Sequence, residues 1–173
     1  TFTFTDNTAY YGGGLYNLSS APTVTACTFS GNTASSSGGG VHTEGGAATV
    51  TGCTFEDNGA GQGGGMTSYS HDASTVTDCA FTDNSADVWG GGFFVFQSAP
   101  IVSRCSFTGN SADSGGGMNV QAGETGGALT ELSFTGNSAE RGGGLWATGG
   151  FLDVTRCAFA GNTASEVGGG MLL

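Results

Sequence analysis

Lysine is absent from this chain of 173 residues, and three arginines face 14 acidic residues, so the formal net charge is −11 at pH 7. Proteins neutralise nucleic-acid phosphates with Lys and Arg, so this composition excludes nucleic acid as a direct partner. The chain also lacks an apolar run of the roughly 20 residues that a membrane-spanning helix requires. We therefore expect no direct membrane span in this segment.

Large aliphatic residues are scarce as well. Leu, Ile, Val and Phe together make up less than a fifth of the chain, whereas glycine contributes 35 residues. With the high net charge, this composition is typical of a disordered chain. Against that interpretation stand 12 Phe, four Tyr and two Trp, which are more aromatic residues than a solvated chain carries. Composition leaves the question open, and the order of the residues has to decide it.

One sequence unit recurs seven times along the chain. Each unit has a phenylalanine, an asparagine three residues later, and then three consecutive glycines followed by an apolar residue. The phenylalanines are Phe4, Phe29, Phe55, Phe81, Phe107, Phe134 and Phe159, and the asparagines are Asn7, Asn32, Asn58, Asn84, Asn110, Asn137 and Asn162. Seven copies in the same phase predict a solenoid.

Alternation within the unit predicts strands. In the segment Thr-Val-Thr-x-Cys-x-Phe, the Val, Cys and Phe fall on one face and the Thr residues on the other. We predict three short strands per coil: Thr-Val-Thr, Cys-x-Phe, and one that begins at the apolar residue after the glycines. The predicted fold class is all-β, a right-handed parallel β-helix of about seven coils of roughly 26 residues, with residues 1–173 as a single segment.

The asparagines and glycines are interpreted as structural residues. Asn tolerates the left-handed backbone conformation, and a stacked column of Asn side chains can pass hydrogen bonds from coil to coil. Three glycines allow a sharp return of the chain against neighbouring coils, where a Cβ would clash. A phosphate-binding loop would require the pattern G-x-x-x-x-G-K-[ST] and a basic residue, and neither accompanies these glycines.

The unit F-x-x-N-x-A-x-x-x-G-G-G-[LVMF] resembles the polymorphic membrane protein repeat of chlamydial surface proteins. The hallmarks of that repeat are F-x-x-N and G-G-A followed by an aliphatic residue. The resemblance covers the whole chain, with one consistent departure, since the third small residue is Gly in every unit. It implies an extracellular or cell-surface β-helical stalk or passenger, often adhesive.

The five cysteines, Cys27, Cys53, Cys79, Cys105 and Cys157, are predicted to form one inward column. Equivalent Cβ atoms on adjacent coils would lie about 4.8 Å apart, which is wider than a disulfide prefers. We interpret the cysteines as buried free thiols that pack as small hydrophobic side chains. We expect no metal site and no cofactor.

Catalytic chemistry finds little support in the sequence. Glycoside hydrolysis needs two carboxylates that converge from one face. The nearest acidic candidates, Glu56, Asp57 and Asp83, lie in the predicted turn beside the asparagine column. We therefore predict no catalytic residue and a protein that is not an enzyme.

The residue after the inward apolar one is predicted to point outward. This column reads Tyr16, His42, Thr67, Phe94, Asn119 and Trp146. Its aromatic members, Tyr16, His42, Phe94 and Trp146, form a possible ligand or partner face, because aromatic rings suit sugar rings or a lateral protein partner. The alternative is that neighbouring loops fold over this face and cover it.

A second surface feature is a set of outward threonine pairs on three successive coils. They are Thr23 and Thr25, Thr49 and Thr51, and Thr75 and Thr77. Their flat, two-column array resembles that of ice-binding β-helices. Thr is also simply a favourable residue for the outward face of a strand.

The sequence starts inside a strand pattern and stops at Met171-Leu172-Leu173 without a polar cap at either end. Solenoids normally hide their open sheet edges with such caps. We therefore expect a fragment of a longer repeat protein, whose partners are further coils end to end and a glycan or host-surface protein. The predicted function is a structural or adhesive protein of the extracellular space or cell surface. Carbohydrate-binding or polysaccharide-degrading β-helices and ice-binding proteins are the alternatives.

Overall fold

The computed structural model describes residues 1–69, 74–123, 126–150 and 152–173, which form parallel strands and turns. In chain order, the strands of the described residues are β1 (Thr3–Thr5), β2 (Thr8–Tyr11), β3 (Leu15–Leu18), β4 (Thr23–Thr25), β5 (Thr28–Ser30), β6 (Thr33–Ser37), β7 (Val41–Glu44), β8 (Thr49–Thr51), β9 (Thr54–Glu56), β10 (Gly59–Gln62), β11 (Met66–Tyr69), β12 (Thr75–Thr77) and β13 (Ala80–Thr82). They continue as β14 (Ser85–Trp89), β15 (Phe93–Phe96), β16 (Ile101–Ser103), β17 (Ser106–Thr108), β18 (Met118–Gln121), β19 (Gly127–Thr130), β20 (Ser133–Thr135), β21 (Ser138–Arg141), β22 (Leu145–Thr148), β23 (Leu152–Thr155), β24 (Ala158–Ala160), β25 (Thr163–Val167) and β26 (Met171–Leu172).

Each strand pairs in parallel with its counterpart one coil away, which confirms the predicted β-solenoid. Sheet A contains the phenylalanines and runs β1-β5-β9-β13-β17-β20-β24. Sheet C follows the glycines and runs β3-β7-β11-β15-β18-β22-β26, while sheet D contains the Thr-Val-Thr segments and runs β4-β8-β12-β16-β19-β23. The register places identical residues opposite one another, as in Phe29↔Phe55 and Val50↔Val76.

A fourth strand per coil was not predicted from the sequence. It follows the asparagine, and we call this column sheet B. Strands β2, β6, β10 and β14 form its first part, and β21 and β25 form its second part. In the fifth coil, this column is reduced to isolated β-bridges at Ser111 and Ser114. The segment is rich in Ala, Ser and Gly and lacks alternating large apolar residues, so the hydrophobic pattern gave no strand signal there.

The core is built from inward columns that pass through successive coils. The phenylalanine rings stack in parallel, with centroids 4.6 Å apart for Phe55–Phe81 and 4.8 Å apart for Phe81–Phe107. The valines of sheet D, the cysteines and the first residue of each strand from β3 to β22 in sheet C complete the cluster. Because each coil buries its side chains on equivalent side chains above and below, the regular sequence produces a regular core.

The asparagines form the predicted hydrogen-bonded column. Asn58 is representative, because its Nδ2 donates to Asn84 Oδ1 at 2.9 Å and to the Phe29 carbonyl at 2.9 Å. The left-handed residue, however, is the one before each asparagine, and the prediction that placed Asn there was wrong. Asp57 and Asp83 occupy that position with φ near +54°. This arrangement frees the Asn side chain to point inward and satisfy buried backbone groups.

Charges alternate at one corner of four successive coils, directly before the inward cysteine or leucine, at Asp78, Arg104, Glu131 and Arg156. Arg104 donates two hydrogen bonds to the Asp78 carboxylate, with distances of 2.7 and 2.8 Å, and these bonds lower the pKa of Asp78. Arg156 pairs with Glu131 one coil earlier. Arg141, which adjoins Glu140 in the sequence, pairs with Glu166 of the next coil. These exposed pairs favour the register and contribute little to stability.

Candidate functional site

The outward column of sheet C does not form the exposed aromatic face that we predicted. Tyr16 is 44% exposed and Trp146 is half-buried, whereas His42 and Phe94 are buried with exposures of 2% and 0%. Thr67 and Asn119 of the same column are also buried. The expectation of a continuous exposed face made of Tyr16, His42, Phe94 and Trp146 was therefore wrong.

The reason is a contact across the triple-glycine turn. In the first five coils, the residue directly before the glycines contacts the outward residue of sheet C that lies five positions later. The described contacts of this kind are Tyr11–Tyr16 and Trp89–Phe94 between rings, Ser37–His42 and Thr67–Gln62 by hydrogen bonds, and Asn119–Ser114 by a hydrogen bond. The segment before the glycines thus contacts the outward position of sheet C on these coils.

The glycines permit this close return of the chain. In the third coil, a Cβ on Gly65 would lie 2.6 Å from the Gly92 carbonyl oxygen and 2.9 Å from Cδ1 of Phe81. The first glycine of the turn is left-handed, as in Gly38 with φ +69°. Only glycine satisfies both the backbone conformation and the space, which explains why the turn holds three of them.

A cleft of about 170 Å³ lies between the two sheets on the first three coils. Strands β2, β6 and β10 supply one wall, and β7 and β11 supply the other. The lining residues are Tyr11, Ser36, Ser37, His42, Glu44, Gln62 and Tyr69. We call this the His42 cleft. In the fourth coil the equivalent space is occupied, because the ring of Trp89 packs 5.3 Å from that of Phe94.

Three tyrosine rings surround the imidazole of His42. Their centroids lie 5.1 Å away for Tyr11, 5.3 Å for Tyr16 and 5.8 Å for Tyr69, and all three rings are tilted relative to the imidazole. Tyr11 and Tyr16 are 39% and 44% exposed, so part of each ring faces solvent. The cleft therefore presents aromatic surface to an entering molecule as well as polar groups.

His42 has one satisfied and one unsatisfied ring nitrogen. Nδ1 lies 3.0 Å from Ser37 Oγ, whereas Nε2 is buried without a hydrogen-bond partner. The nearest carboxylate oxygen, Glu44 Oε2, is 3.9 Å from Nε2, which is too long for a hydrogen bond. Burial lowers the pKa of His42 to about 4, against an opposing effect of Glu44, so the imidazole is neutral at pH 7.

The remaining polar groups of the cleft are held by its tyrosines. The Tyr16 hydroxyl donates to Glu44 Oε2 at 3.0 Å. The Tyr69 hydroxyl donates to Gln62 Oε1 at 3.3 Å, which leaves the amide nitrogen of Gln62 as a donor. Glu44 itself is exposed at the rim. These contacts place two acceptors, the Glu44 carboxylate and Gln62 Oε1, around a small opening. The Gln62 amide nitrogen is a donor there, beside the neutral imidazole of His42.

The predicted threonine pairs stand in register on sheet D. Thr23, Thr49 and Thr75 pair in successive strands, and Thr25, Thr51 and Thr77 do the same. The first pair is exposed and the other two are half-buried. The hydroxyl oxygens of Thr51 and Thr77 lie 3.2 Å apart, so these side chains also bond to one another.

The cysteines are free thiols, and four of the five are buried in the predicted inward column. The hydrogen bond with Cys79 and then burial raise the pKa of Cys53. Cys79, whose pKa is raised to about 12 by its hydrogen bond with Cys105, is likewise protonated at neutral pH. Because the thiolate is the reactive form, Cys53 and Cys79 are suited to packing and not to chemistry. The same contact with Cys79 lowers the pKa of Cys105, against the effect of its burial.

Within the described ranges, no three or more His, Cys, Asp and Glu side chains are grouped to hold a metal ion. The same part of the chain has no helix long and apolar enough to cross a membrane. His71, the other histidine, lies outside the described residues.

Sequence reasoning found His42 but missed Tyr11, Glu44, Gln62 and Tyr69. Tyr11 and Gln62 lie in the unpredicted sheet B, directly before the glycines. Glu44 and Tyr69 lie two residues after the outward position, where sheet C continues beyond the predicted column. A signal was present, because the pairs Tyr11/Tyr16 and Trp89/Phe94 repeat the same five-residue spacing across the turn.

The fold and the cleft define the class as a parallel β-solenoid with a small polar and aromatic cleft on its side. A family model described as a right handed beta helix region matches residues 1–164, and the chain belongs to this right-handed β-helix family. The family contains both enzymes and proteins that are not enzymes, so membership leaves the activity open. No curated protein and no solved structure matches the chain.

Proposed function

We propose that this chain is a segment of an extracellular or cell-surface adhesive β-helix that binds its target through the His42 cleft without catalysis. The cleft is the observation that carries the proposal, because it exposes tyrosine rings beside a buried, unsatisfied nitrogen of His42 on a rod stiffened by stacked side chains. The resemblance of the repeat to that of polymorphic membrane proteins supports the surface location. A glycan or a surface protein is the proposed target.

A binding function fits the residues of the cleft better than hydrolysis does. Glycoside hydrolysis generally uses two carboxylates, one on each side of the scissile bond. Among the lining residues, Glu44 is the one carboxylate, and the neutral His42 is buried beneath tyrosine rings. The alternative of a polysaccharide-degrading β-helix is tested by incubating the chain with polysaccharides and measuring new reducing ends.

Adhesion is tested with the purified chain immobilised on beads and exposed to surfaces coated with extracellular glycoproteins and to cell surfaces. We expect retention of the wild-type beads and loss of retention with Tyr11→Ala, which removes an exposed ring from the cleft. Thr25→Ala, an exposed change on sheet D, serves as the control and should leave retention unchanged. Equal retention of wild type and Tyr11→Ala would refute adhesion through this cleft.

A second candidate, ice binding, is favoured by the in-register threonine columns of sheet D. Parallel strands repeat their side chains at about 4.8 Å, so the three pairs Thr23/Thr25, Thr49/Thr51 and Thr75/Thr77 form a regular lattice of hydroxyl and methyl groups. Thermal hysteresis of the purified chain tests this candidate. A freezing-point depression no larger than that caused by a matched solute would refute this candidate.

A further inference from the structure

We infer that the His42 cleft binds a neutral carbohydrate residue, with one sugar hydroxyl bridging His42 Nε2 and the Glu44 carboxylate. The inference rests on the proposed adhesive function, because it names the ligand of the same cleft. Four observations carry it: the unsatisfied nitrogen, the tyrosine rings, the charge of the lining and the size of the opening.

The unsatisfied Nε2 calls for a hydroxyl group. A buried polar atom without a partner costs free energy, and almost all such atoms in folded proteins are satisfied. If Nδ1 accepts from Ser37, Nε2 carries the proton and needs an acceptor; if Nδ1 donates to Ser37, Nε2 needs a donor. A hydroxyl is both a donor and an acceptor, so it satisfies either tautomer.

Glu44 provides the second contact of the bridging hydroxyl. A carboxylate only accepts hydrogen bonds, and a hydroxyl placed beside Nε2 can donate to it. The distance of 3.9 Å between Nε2 and Glu44 Oε2 is too long for direct bonding and is spanned by one oxygen at ordinary hydrogen-bond distance from each atom. Nε2 itself is screened from solvent and Glu44 is exposed at the rim, so entry of the hydroxyl requires a side chain beside Nε2 to move.

The tyrosine rings provide the apolar part of the site. A sugar ring has hydroxyl groups at its edge and C–H groups on its faces, so it suits a site that combines hydrogen-bonding groups with aromatic surface. Tyr11 and Tyr16 expose 39% and 44% of their surface beside the imidazole. Tyr rings are suited to this role because they are amphipathic and lose little conformational freedom.

Charge selects neutral sugars over acidic ones. The lining residues include one carboxylate and no Lys or Arg. The three arginines of the chain are paired with acidic residues elsewhere, namely Arg104 with Asp78, Arg141 with Glu166 and Arg156 with Glu131. A uronic acid would bring its carboxylate next to Glu44 in a chain of net charge −11, and like charges repel.

Size limits the occupant to a single ring. Pockets for larger organic ligands usually enclose about 300–1,000 Å³, whereas the His42 cleft encloses about 170 Å³. The Trp89–Phe94 contact occupies the equivalent space one coil further along. We therefore expect one sugar unit in the cleft, with the rest of a glycan outside it.

The ligand is tested by NMR titration of the purified chain with methyl glucoside, methyl galactoside, methyl mannoside and a set of neutral disaccharides, against glucuronic and galacturonic acids. We expect at least one neutral sugar to shift the imidazole resonances of His42 in a saturable way, while neither uronic acid does so at equal concentration. If no neutral sugar of the panel produced a saturable shift, the inference would be overturned. Equal binding of a uronic acid would overturn it as well.

Glu44→Gln and Glu56→Gln form a matched pair of variants, because both side chains are exposed and Glu56 lies on sheet A, away from the cleft. Glu44→Gln should weaken the neutral sugar about tenfold or more, since a charged acceptor is lost. It should also narrow the discrimination against uronic acids. Glu56→Gln should change neither property, and an equal effect of both variants would refute the role of Glu44.

The same proteins separate the inference from the proposed function. Adhesion that depends on Tyr11 but is not inhibited by any sugar of the panel overturns the carbohydrate ligand and leaves the adhesive function standing. Sugar binding at His42 without Tyr11-dependent adhesion overturns the adhesive function and leaves the ligand assignment standing. Inhibition of Tyr11-dependent adhesion by the sugar that shifts His42 supports both.

Discussion

At the scale of single residues, identical side chains play different roles according to their neighbours. The inward Phe81 stacks between Phe55 and Phe107, with ring centroids 4.6 and 4.8 Å away, and is fully buried. Phe94 is also fully buried, but it lies on the opposite face of its strand under Trp89. A strand alternation alone would place Phe94 in solvent. Its burial depends on sheet B, which a residue-by-residue pattern does not reveal.

His42 should make the stability of the chain depend on pH. The pKa of His42 in the folded protein is about 4 because burial disfavours the charged form, against an ordinary value of 6.5. The unfolded chain therefore takes up the proton first as the pH falls, and stability is lost between about pH 6.5 and pH 4. The expected loss in the free energy of unfolding is about 3 kcal/mol over that interval.

Denaturant unfolding of wild type and His42→Gln at several pH values measures this effect. The two proteins are compared by how steeply the free energy of unfolding changes with pH. The difference between these slopes isolates His42, because every other titratable group is common to both. Above pH 7, the free energies of unfolding of the two proteins should differ by an amount that does not depend on pH. A difference that stays constant down to pH 4 would mean that His42 is not buried as a neutral group.

At the scale of the element, the triple-glycine turn holds sheet B against sheet C and so creates the cleft. Gly65→Ala should destabilise the chain by about 1–3 kcal/mol, because the new Cβ meets the Gly92 carbonyl oxygen and the ring of Phe81 at 2.6 and 2.9 Å. Thermal and denaturant unfolding measure the change.

Gly59→Ala is the matched control for Gly65→Ala. Gly59 begins β10 with an ordinary backbone conformation, and its nearest neighbour to a new Cβ is Ser85 Oγ at 3.6 Å. We expect this variant to keep or raise stability, by about 0.4–1 kcal/mol, because it restricts the unfolded chain. If both substitutions proved equally harmless, the turn would be looser than the structure shows.

The sequence predicted those elements whose signal is carried by large side chains. Sheets A, C and D each contain an inward apolar residue in every coil, and this repetition placed them without any distance information. Sheet B was missed because its inward residue is Ala, as in Ala34 and Ala60, whose small side chain gives little periodicity. The cleft was missed with it, since one of its walls is sheet B.

At the scale of the whole molecule, the side chains of each coil are satisfied by the coils on either side. Asn84 receives two bonds from Asn58 and gives two to Asn110 and one to the Phe55 carbonyl, so it belongs to three coils at once. Such nearest-neighbour coupling makes the stability of a solenoid a sum over adjacent coils. The cleft inherits this rigidity, because its walls are drawn from three successive coils.

The same coupling leaves the outermost coils of this chain with unmatched groups. Phe2 is 70% exposed, Met171 38% and Leu173 72%, and the end strands present unpaired N–H and C=O groups. Open edges of parallel sheets bind further strands of the same kind. We therefore propose that the 173-residue chain associates head to tail, which light scattering across a range of concentrations would detect as a rising mass.

Lysine substitutions at the two ends provide the test of that association. Thr3→Lys combined with Leu173→Lys places a charged side chain at an exposed position of the first coil and of the last coil, which disfavours pairing at both open edges. We expect the variant to remain monomeric with unchanged β-sheet circular dichroism. Thr108→Lys, an exposed change in the middle of sheet A, should leave association intact. A wild-type chain that stays monomeric at high concentration would argue against end-to-end stacking and favour a single binding module, in which the His42 cleft acts alone.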